Sequence, residues 1–308
     1  MSGTGSGTGS GTSSVRSGSN GAAAPVVLET RSLVKRFGGI TATHDLSLRV
    51  DRGARQALIG PNGAGKTTLI NQLTGMMAPT SGQVLLEGRD ITTLPAHRRV
   101  ALGLVRTFQI SQLWGTLTPR QSLALAVASR HDAARRWWAP LGSDAGMATE
   151  VSGLLEQFRL ADFADRETRE LPYGKRRLLE IGLALALQPK VLLLDEPAAG
   201  VPAAERQDIL DTVAALPADV SVLLIEHDMD LVFSFARRIT VLVNGALLTE
   251  GTPEQIARDP EVRAVYLGGG AQAPASAASA GAAQAHAAPH SAPSASAASP
   301  GSAGGGHA

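Results

Sequence analysis

The chain has 308 residues, with 28 Lys and Arg against 27 Asp and Glu for a formal net charge of +1, and it contains no cysteine. So balanced a charge gives no long-range field to gather nucleic acid or anionic lipid, which excludes a charge-driven binder of either. The lack of cysteine excludes a disulfide framework and a thiolate metal site, and it suits a reducing cytosol.

Residues 1–24 are almost entirely Gly, Ser, Thr and Ala. Such a segment has too little apolar surface to offset about 1–2 kcal/mol per residue of ordering entropy, so a disordered tail is expected there. No basic region followed by an apolar core occurs, and no secretory signal is expected. An ordered domain is expected over 25–267. It opens with short β-rich runs, Ser47 to Val50 and Gln56 to Ile59, that lead into a glycine-rich loop. A helix should follow, with Leu69, Ile70, Leu73, Met76 and Met77 on one face. From about 107 to 187 the sequence reads as a helical subdomain, rich in Leu, Ala and Arg and broken at Pro119, Pro140 and Pro172. Val191 to Leu194 and Val222 to Ile225 are continuous aliphatic runs, the pattern of parallel strands buried on both faces. They fall far short of the roughly 20 apolar residues that span a bilayer. Ile239 to Val243 and Ala246 to Glu250, joined by Asn244-Gly245, predict a hairpin, because Asn-Gly supplies the positive φ angles of a tight turn. Residues 268–308 form a second Ala/Gly/Ser/Pro-rich tail, expected to be disordered; His286, His290 and His307 lack metal-ligand spacing there and read as solvated linker.

The chemistry concentrates at strand ends. Gly60-Pro61-Asn62-Gly63-Ala64-Gly65-Lys66-Thr67-Thr68 fits a phosphate loop, in which glycines let backbone N–H groups wrap phosphates at a helix N-terminus. Lys66 would neutralise the β- and γ-phosphates, and the Thr67 hydroxyl would ligate Mg²⁺. Asp195 and Glu196 directly follow a buried strand, where open α/β sheets bind ligands. Asp195 is suited to the Mg²⁺ shell and Glu196 to polarising an attacking water. His227, just past the next aliphatic strand, can reach a γ-phosphate or the water. Gln109, where the core gives way to the helical region, can bridge Mg²⁺ or water to a moving element.

This order of motifs resembles an ABC ATPase from about Pro25 to Gly268. The resemblance implies an α/β P-loop fold with a RecA-like core, an antiparallel β subdomain and a helical subdomain. It also implies that Phe37 stacks on adenine, and that two cassettes sandwich ATP between the phosphate loop of one and the signature of the other. The usual Leu-Ser-Gly-Gly-Gln signature is Leu171-Pro172-Tyr173-Gly174-Lys175 here, so the serine hydroxyl is lost; Tyr173 and Gly174 remain the expected nucleotide contacts, and Lys175 can compensate electrostatically. Ala198-Ala199-Gly200-Val201-Pro202 replaces the usual Ser-Ala-Leu-Asp. The Tyr-Gly signature, the Asp-Glu-Pro-Ala-Ala-Gly run and the ending Val265-Tyr266-Leu267-Gly268 look like cassettes of branched-chain and related hydrophobic amino-acid importers.

By that resemblance the partners are two transmembrane permeases, a second cassette (identical or a paralogue) and, indirectly, a substrate-binding protein; the location is the cytoplasmic face of the membrane. An exporter cassette shares every catalytic residue, and a soluble ABC protein of translation or DNA repair is a further alternative. The altered signature also leaves room for a module that closes on ATP without splitting it. Arg135-Arg136-Trp137-Trp138, within the helical region, suits either a partner groove or a solvent-side helix with its tryptophans folded inward.

Overall fold

A computed structural model describes residues 24–107, 113–130 and 145–267. In chain order, β1 (Val26–Phe37), β2 (Ile40–Leu46) and β3 (Arg49–Asp51) precede β4 (Arg55–Ile59), which feeds the glycine loop and helix α1 (Lys66–Thr74). β5 (Ser81–Leu86), β6 (Arg89–Asp90), α2 (Ala96–Ala101) and β7 (Leu104–Arg106) follow. Three helices come next: α3 (Pro119–Arg130), α4 (Ala145–Gln157) and α5 (Tyr173–Ala186). The chain then runs through β8 (Val191–Asp195), α6 (Ala203–Ala214), β9 (Ser221–Ile225), α7 (Met229–Phe235), the hairpin β10 (Arg238–Val243) and β11 (Ala246–Gly251), and finally α8 (Pro253–Arg258) and α9 (Pro260–Leu267).

Two sheets result. One is antiparallel in the order β2-β1-β5-β6, with β3 also on β1. The other has the order β11-β10-β4-β9-β8-β7 and is parallel except for the β10–β11 hairpin. Every residue of β8 and β9 is buried, as their aliphatic runs require. The period of two divides β8 between two cores. Val191 and Leu193 pack with Leu58, Leu223 and the α1 residues Leu69, Ile70 and Leu73. Leu192 and Leu194 join a second core with Phe158, Leu178 and Ile181 of the helical region. The parallel sheet is thus covered on both faces, the condition under which such sheets are stable.

The hairpin forms as the sequence predicts, with Asn244 at φ 50° and Gly245 at φ 77°. Two other expectations need correction. Helix α1 stops at Thr74, because Gly75 adopts φ 76° and returns its N–H to the Gln72 carbonyl. Met76 therefore lies beyond the helix and is 60% exposed, and Met77 is only half-buried. Pro119 and Pro172 begin helices rather than break them: Pro119 is the first residue of α3, and Pro172 immediately precedes α5. Proline is tolerated there because a first-turn residue has no intrahelical N–H bond to lose. Pro140 lies outside the described residues. Among the described residues, no helix is long and apolar enough to cross a membrane.

Candidate functional site

The order β4-β9-β8-β7 brings the carboxyl ends of four parallel strands side by side. From them issue the glycine loop, Glu226-His227-Asp228, Asp195-Glu196-Pro197 and Arg106. In the loop, Gly65 sits at φ 97° ahead of α1, and a Cβ there would lie 2.5 Å from the Ala42 carbonyl oxygen, so a side chain is excluded twice over. The β10–β11 turn braces the loop from behind, with Gly245 N–H donating to the Ala64 carbonyl at 2.9 Å. The first turn of α1 carries no acidic residue and no side-chain cap, which leaves its positive end open to an anion. Lys66 folds back over the loop, its Nζ donating to the carbonyls of Gly60 at 2.6 Å and Pro61 at 3.0 Å. Burial lowers the pKa of this ammonium, and Glu196 and Asp195 act in the opposite sense.

Asp195 ends β8 with its side chain 8% exposed, and Arg106 Nη2 donates to its Oδ2 at 2.6 Å. Glu196, next in the chain, takes φ 46°, a left-handed conformation that costs a non-glycine residue about 1–3 kcal/mol and recurs at functional sites. Its N–H donates to the Ile225 carbonyl at 2.9 Å, tying the turn to β9. His227 Nδ1 stands 3.7 Å from Glu196 Oε1, with the imidazole 69% and the carboxylate 25% exposed. Lysine, acid pair and histidine thus converge at the carboxyl end of one sheet.

Three residues that the sequence reading did not single out hold this arrangement. Arg177 of α5, 3% exposed, donates Nε to the Pro197 carbonyl and Nη2 to those of Asp195 and Glu196, at 2.8–3.0 Å. Its Nη1 meets Glu180 Oε2 at 2.6 Å. Glu226 is 2% exposed and accepts from Ala198 N–H at 3.3 Å and His227 N–H at 3.1 Å, linking the acid-pair turn to the histidine loop. Burial raises its pKa, against the opposing pull of those N–H groups. Glu205 of α6 accepts from Gly174 N–H at 2.8 Å, and a Cβ at 174 would lie 2.2 Å from that carboxylate oxygen. The Gly174 N–H, expected as a nucleotide contact, thus already donates to a carboxylate of its own chain. Lys175, expected to compensate for the missing serine, is 3.5 Å from Asp208 of α6.

Tyr173 is 38% exposed, its hydroxyl 3.4 Å from the Ala199 carbonyl. Phe37 ends β1 at 47% exposed with Lys35 Nζ 5.2 Å from its ring centroid, a surface aromatic free to stack. Pro61, Asn62, Gly63, Ala64, Thr67 and Thr68 lie in the loop and the first turn of α1. Gln109 and Arg135-Arg136-Trp137-Trp138 lie outside the described residues.

Residues 43–199 match the family model described as ABC transporter, and residues 246–272 match the one described as branched-chain amino acid ATP-binding cassette transporter. The high-affinity branched-chain amino acid transport ATP-binding protein BraF of Pseudomonas aeruginosa is 40% identical over 250 residues, 79% of this chain and 98% of the relative. This chain belongs to the ABC transporter family of ATP-binding cassettes. The corresponding LivG protein of Escherichia coli is 37% identical over 252 residues, 79% of this chain and 98% of its own. The crystal structure of the ADP conformation of MJ1267, an ATP-binding cassette of an ABC transporter, matches with TM-score 0.68 at 32% identity, over 79% of this chain and 99% of that one. A nucleotide-free cassette matches with TM-score 0.67 at 32% identity, over 78% of this chain and 98% of its own.

As a member of this family the cassette is an ATP-binding ATPase, and the fold is the expected P-loop α/β core with antiparallel and helical parts. Among the described residues no group of three or more His, Cys, Asp or Glu could hold a metal. The donors at hand are the Asp195 carboxylate, already facing one cation, and the Thr67 hydroxyl. Two hard oxygens of this kind would suit a cation such as Mg²⁺.

Proposed function

We propose that this cassette hydrolyses ATP to drive uptake of branched-chain or related amino acids, docked on two transmembrane permeases at the cytoplasmic face of the membrane. The convergence of Lys66, Asp195, Glu196 and His227 at the ends of three adjacent strands carries the hydrolytic part of the reading. The match of residues 246–272 to the branched-chain amino acid cassettes, with the names of BraF and LivG, supports import over export.

In this reading Phe37 stacks on adenine, while Lys66 and the N–H groups of residues 60–68 bind the phosphates. Thr67, Asp195 and Gln109 would hold Mg²⁺, which supplies charge neutralisation at the phosphate oxygens. Glu196 orients the attacking water, and His227 contacts the γ-phosphate from the neighbouring strand end. A second cassette, identical or paralogous, contributes its Tyr173 and Gly174 equivalents to close the site. Phosphoryl transfer asks for position and charge rather than a covalent intermediate, which is why a cation, carboxylates and an imidazole suffice. A separate binding protein would deliver the solute to the permeases, and nucleic acid plays no part.

The test compares cells lacking this chain with cells complemented by wild type or by Glu196→Gln. Labelled leucine uptake should return with wild type only, and purified Glu196→Gln should bind ATP but not hydrolyse it. Leucine uptake unchanged by loss of the chain would overturn the import reading; normal hydrolysis by Glu196→Gln would overturn the role of Glu196.

A further inference from the structure

The carboxylate of Asp195 is closed off from solvent, and the group that compensates it comes from the neighbouring strand. Arg106 is the last residue of β7, and its side chain is 11% exposed. Nη2 donates to Asp195 Oδ2 at 2.6 Å, and Nη1 donates to Asn71 Oδ1 at 2.8 Å. Asn71 lies one helical turn beyond Thr67, on the same face of α1. The guanidinium therefore spans the ground between the helix face that carries Thr67 and the strand end that carries Asp195. A divalent cation held by those two residues would compete for the same ground.

The backbone beneath Arg106 is fixed. Thr107 N–H donates to the Leu193 carbonyl at 3.0 Å, and Asp195 N–H reaches Thr107 Oγ1 at 3.4 Å. Any exchange at Asp195 is then a swing of one long side chain rather than a shift of the strand.

We propose that Arg106 is a built-in counter-cation, which holds Asp195 while the metal is away and yields it when Mg²⁺ arrives with nucleotide. This rests on the reading of Asp195 as a metal ligand. A carboxylate this buried is costly without a partner, so Arg106 keeps the empty site stable. Two cations cannot share the same oxygen cheaply, so Arg106 also opposes the metal. In the absence of metal, Arg106 offsets the repulsion between Asp195 and incoming phosphates. Its loss should therefore act in opposite directions in the two conditions, weakening nucleotide binding without Mg²⁺ and strengthening the response to Mg²⁺. A clamp with a purely structural role would weaken both.

The experiment titrates a fluorescent ADP analogue into the full chain in EDTA and across a range of Mg²⁺ concentrations. The readout is the ratio of the Kd in EDTA to the Kd at saturating Mg²⁺, which measures coupling between metal and nucleotide. For Arg106→Gln the ratio should rise about tenfold, within the usual range of such couplings, and the half-saturating Mg²⁺ concentration should fall. Arg106→Lys retains the charge and should stay near wild type. Asn71→Ala leaves the charge but removes the Nη1 anchor; it should move the ratio in the same direction by a smaller factor, and it carries the test if Arg106→Gln folds poorly by circular dichroism. An unchanged ratio in both Arg106→Gln and Asn71→Ala, with affinity lost equally in EDTA and Mg²⁺, would overturn the proposal. Asp195→Asn separates the two layers. If it leaves the ratio at the wild-type value, Asp195 is not a metal ligand and the underlying reading fails; if it collapses the ratio while Arg106→Gln leaves it unchanged, only the competition fails.

Discussion

Replacing Arg177 by methionine should damage both stability and hydrolysis, and the structure sets the scale. The side chain is 3% exposed and donates to three consecutive carbonyls, those of Asp195, Glu196 and Pro197, and to the Glu180 carboxylate. Methionine fills similar volume, so packing is largely kept and the loss is polar. Removing one partner of a buried ion pair costs about 3–5 kcal/mol, because the other charge is left uncompensated. At about 2–4 °C per kcal/mol for a domain of this size, the melting temperature should fall by about 6–20 °C. Glu180→Met added to Arg177→Met removes the orphaned carboxylate and should restore part of that loss, a non-additivity readable in a double-mutant cycle. The second consequence falls on Glu196, whose φ of 46° is imposed by its surroundings. Without the guanidinium on its carbonyl the turn can relax, so ATP hydrolysis should fall by a larger factor than nucleotide affinity. The assays are thermal melts of the four proteins in the cycle, with hydrolysis and nucleotide titration on each variant that folds. A melting temperature within about 2 °C of wild type, with normal hydrolysis, would refute the reasoning.

Arg99 on α2 is 1% exposed and donates to the carbonyls of Gln72, Leu73, Thr92 and Leu94, two of them at the C-terminal end of α1. Arg99→Met should cost about 3 kcal/mol or more in urea unfolding, since the cation serves both the helix dipole and otherwise unpaired acceptors. Gly174→Ala drives a methyl group against Glu205 and should cost about 1.5–3 kcal/mol, the worth of a hydrogen bond to a charged acceptor. Gly174→Ala combined with Glu205→Ala should cost little more than Glu205→Ala alone. Glu226 has its folded pKa raised by burial above the ordinary 4.5. Its contribution is fully present below the unfolded pKa and is lost as pH rises through the folded one. Urea midpoints should therefore show wild type losing ground to Glu226→Gln as pH rises from about 4.5, then levelling off above the folded pKa. A constant offset across that range would remove the titration of Glu226 from the account.

The framework of the site is legible in the sequence because it is local. A glycine loop after one strand, acids after a second and a histidine after a third are each written in consecutive residues, and the aliphatic runs of β8 and β9 declare themselves buried on both faces. The supports are not legible in that way, because each joins residues far apart in the chain. Arg106 meets Asp195 across 89 positions, and Glu205 meets Gly174 across 31. One signal was available: Arg177 lies between Gly174 and Leu178 on the buried stripe of α5, where a charge must have a partner. The end of α1 is hidden in the sequence because Met76 and Met77 continue its apolar spacing, whereas the left-handed Gly75 ends the helix first.

The side-by-side order of β4, β9, β8 and β7 has a consequence for how the site tolerates change. Neighbouring strands are held about 4.8 Å apart by their backbone ladder, so the lateral offsets among the groups at their ends are set in steps of that repeat. The backbone lattice works as a ruler that substitutions in the loops beyond the strand ends do not stretch. Loops and signature residues can drift, as Pro172 and Pro202 have here, without altering the spacing at which lysine, histidine, acids and arginine meet. The vulnerable positions are therefore the silent ones, such as Leu223 at the centre of β9, fully enclosed between its neighbouring strands, where a change of volume would warp the scale on which the whole site is measured.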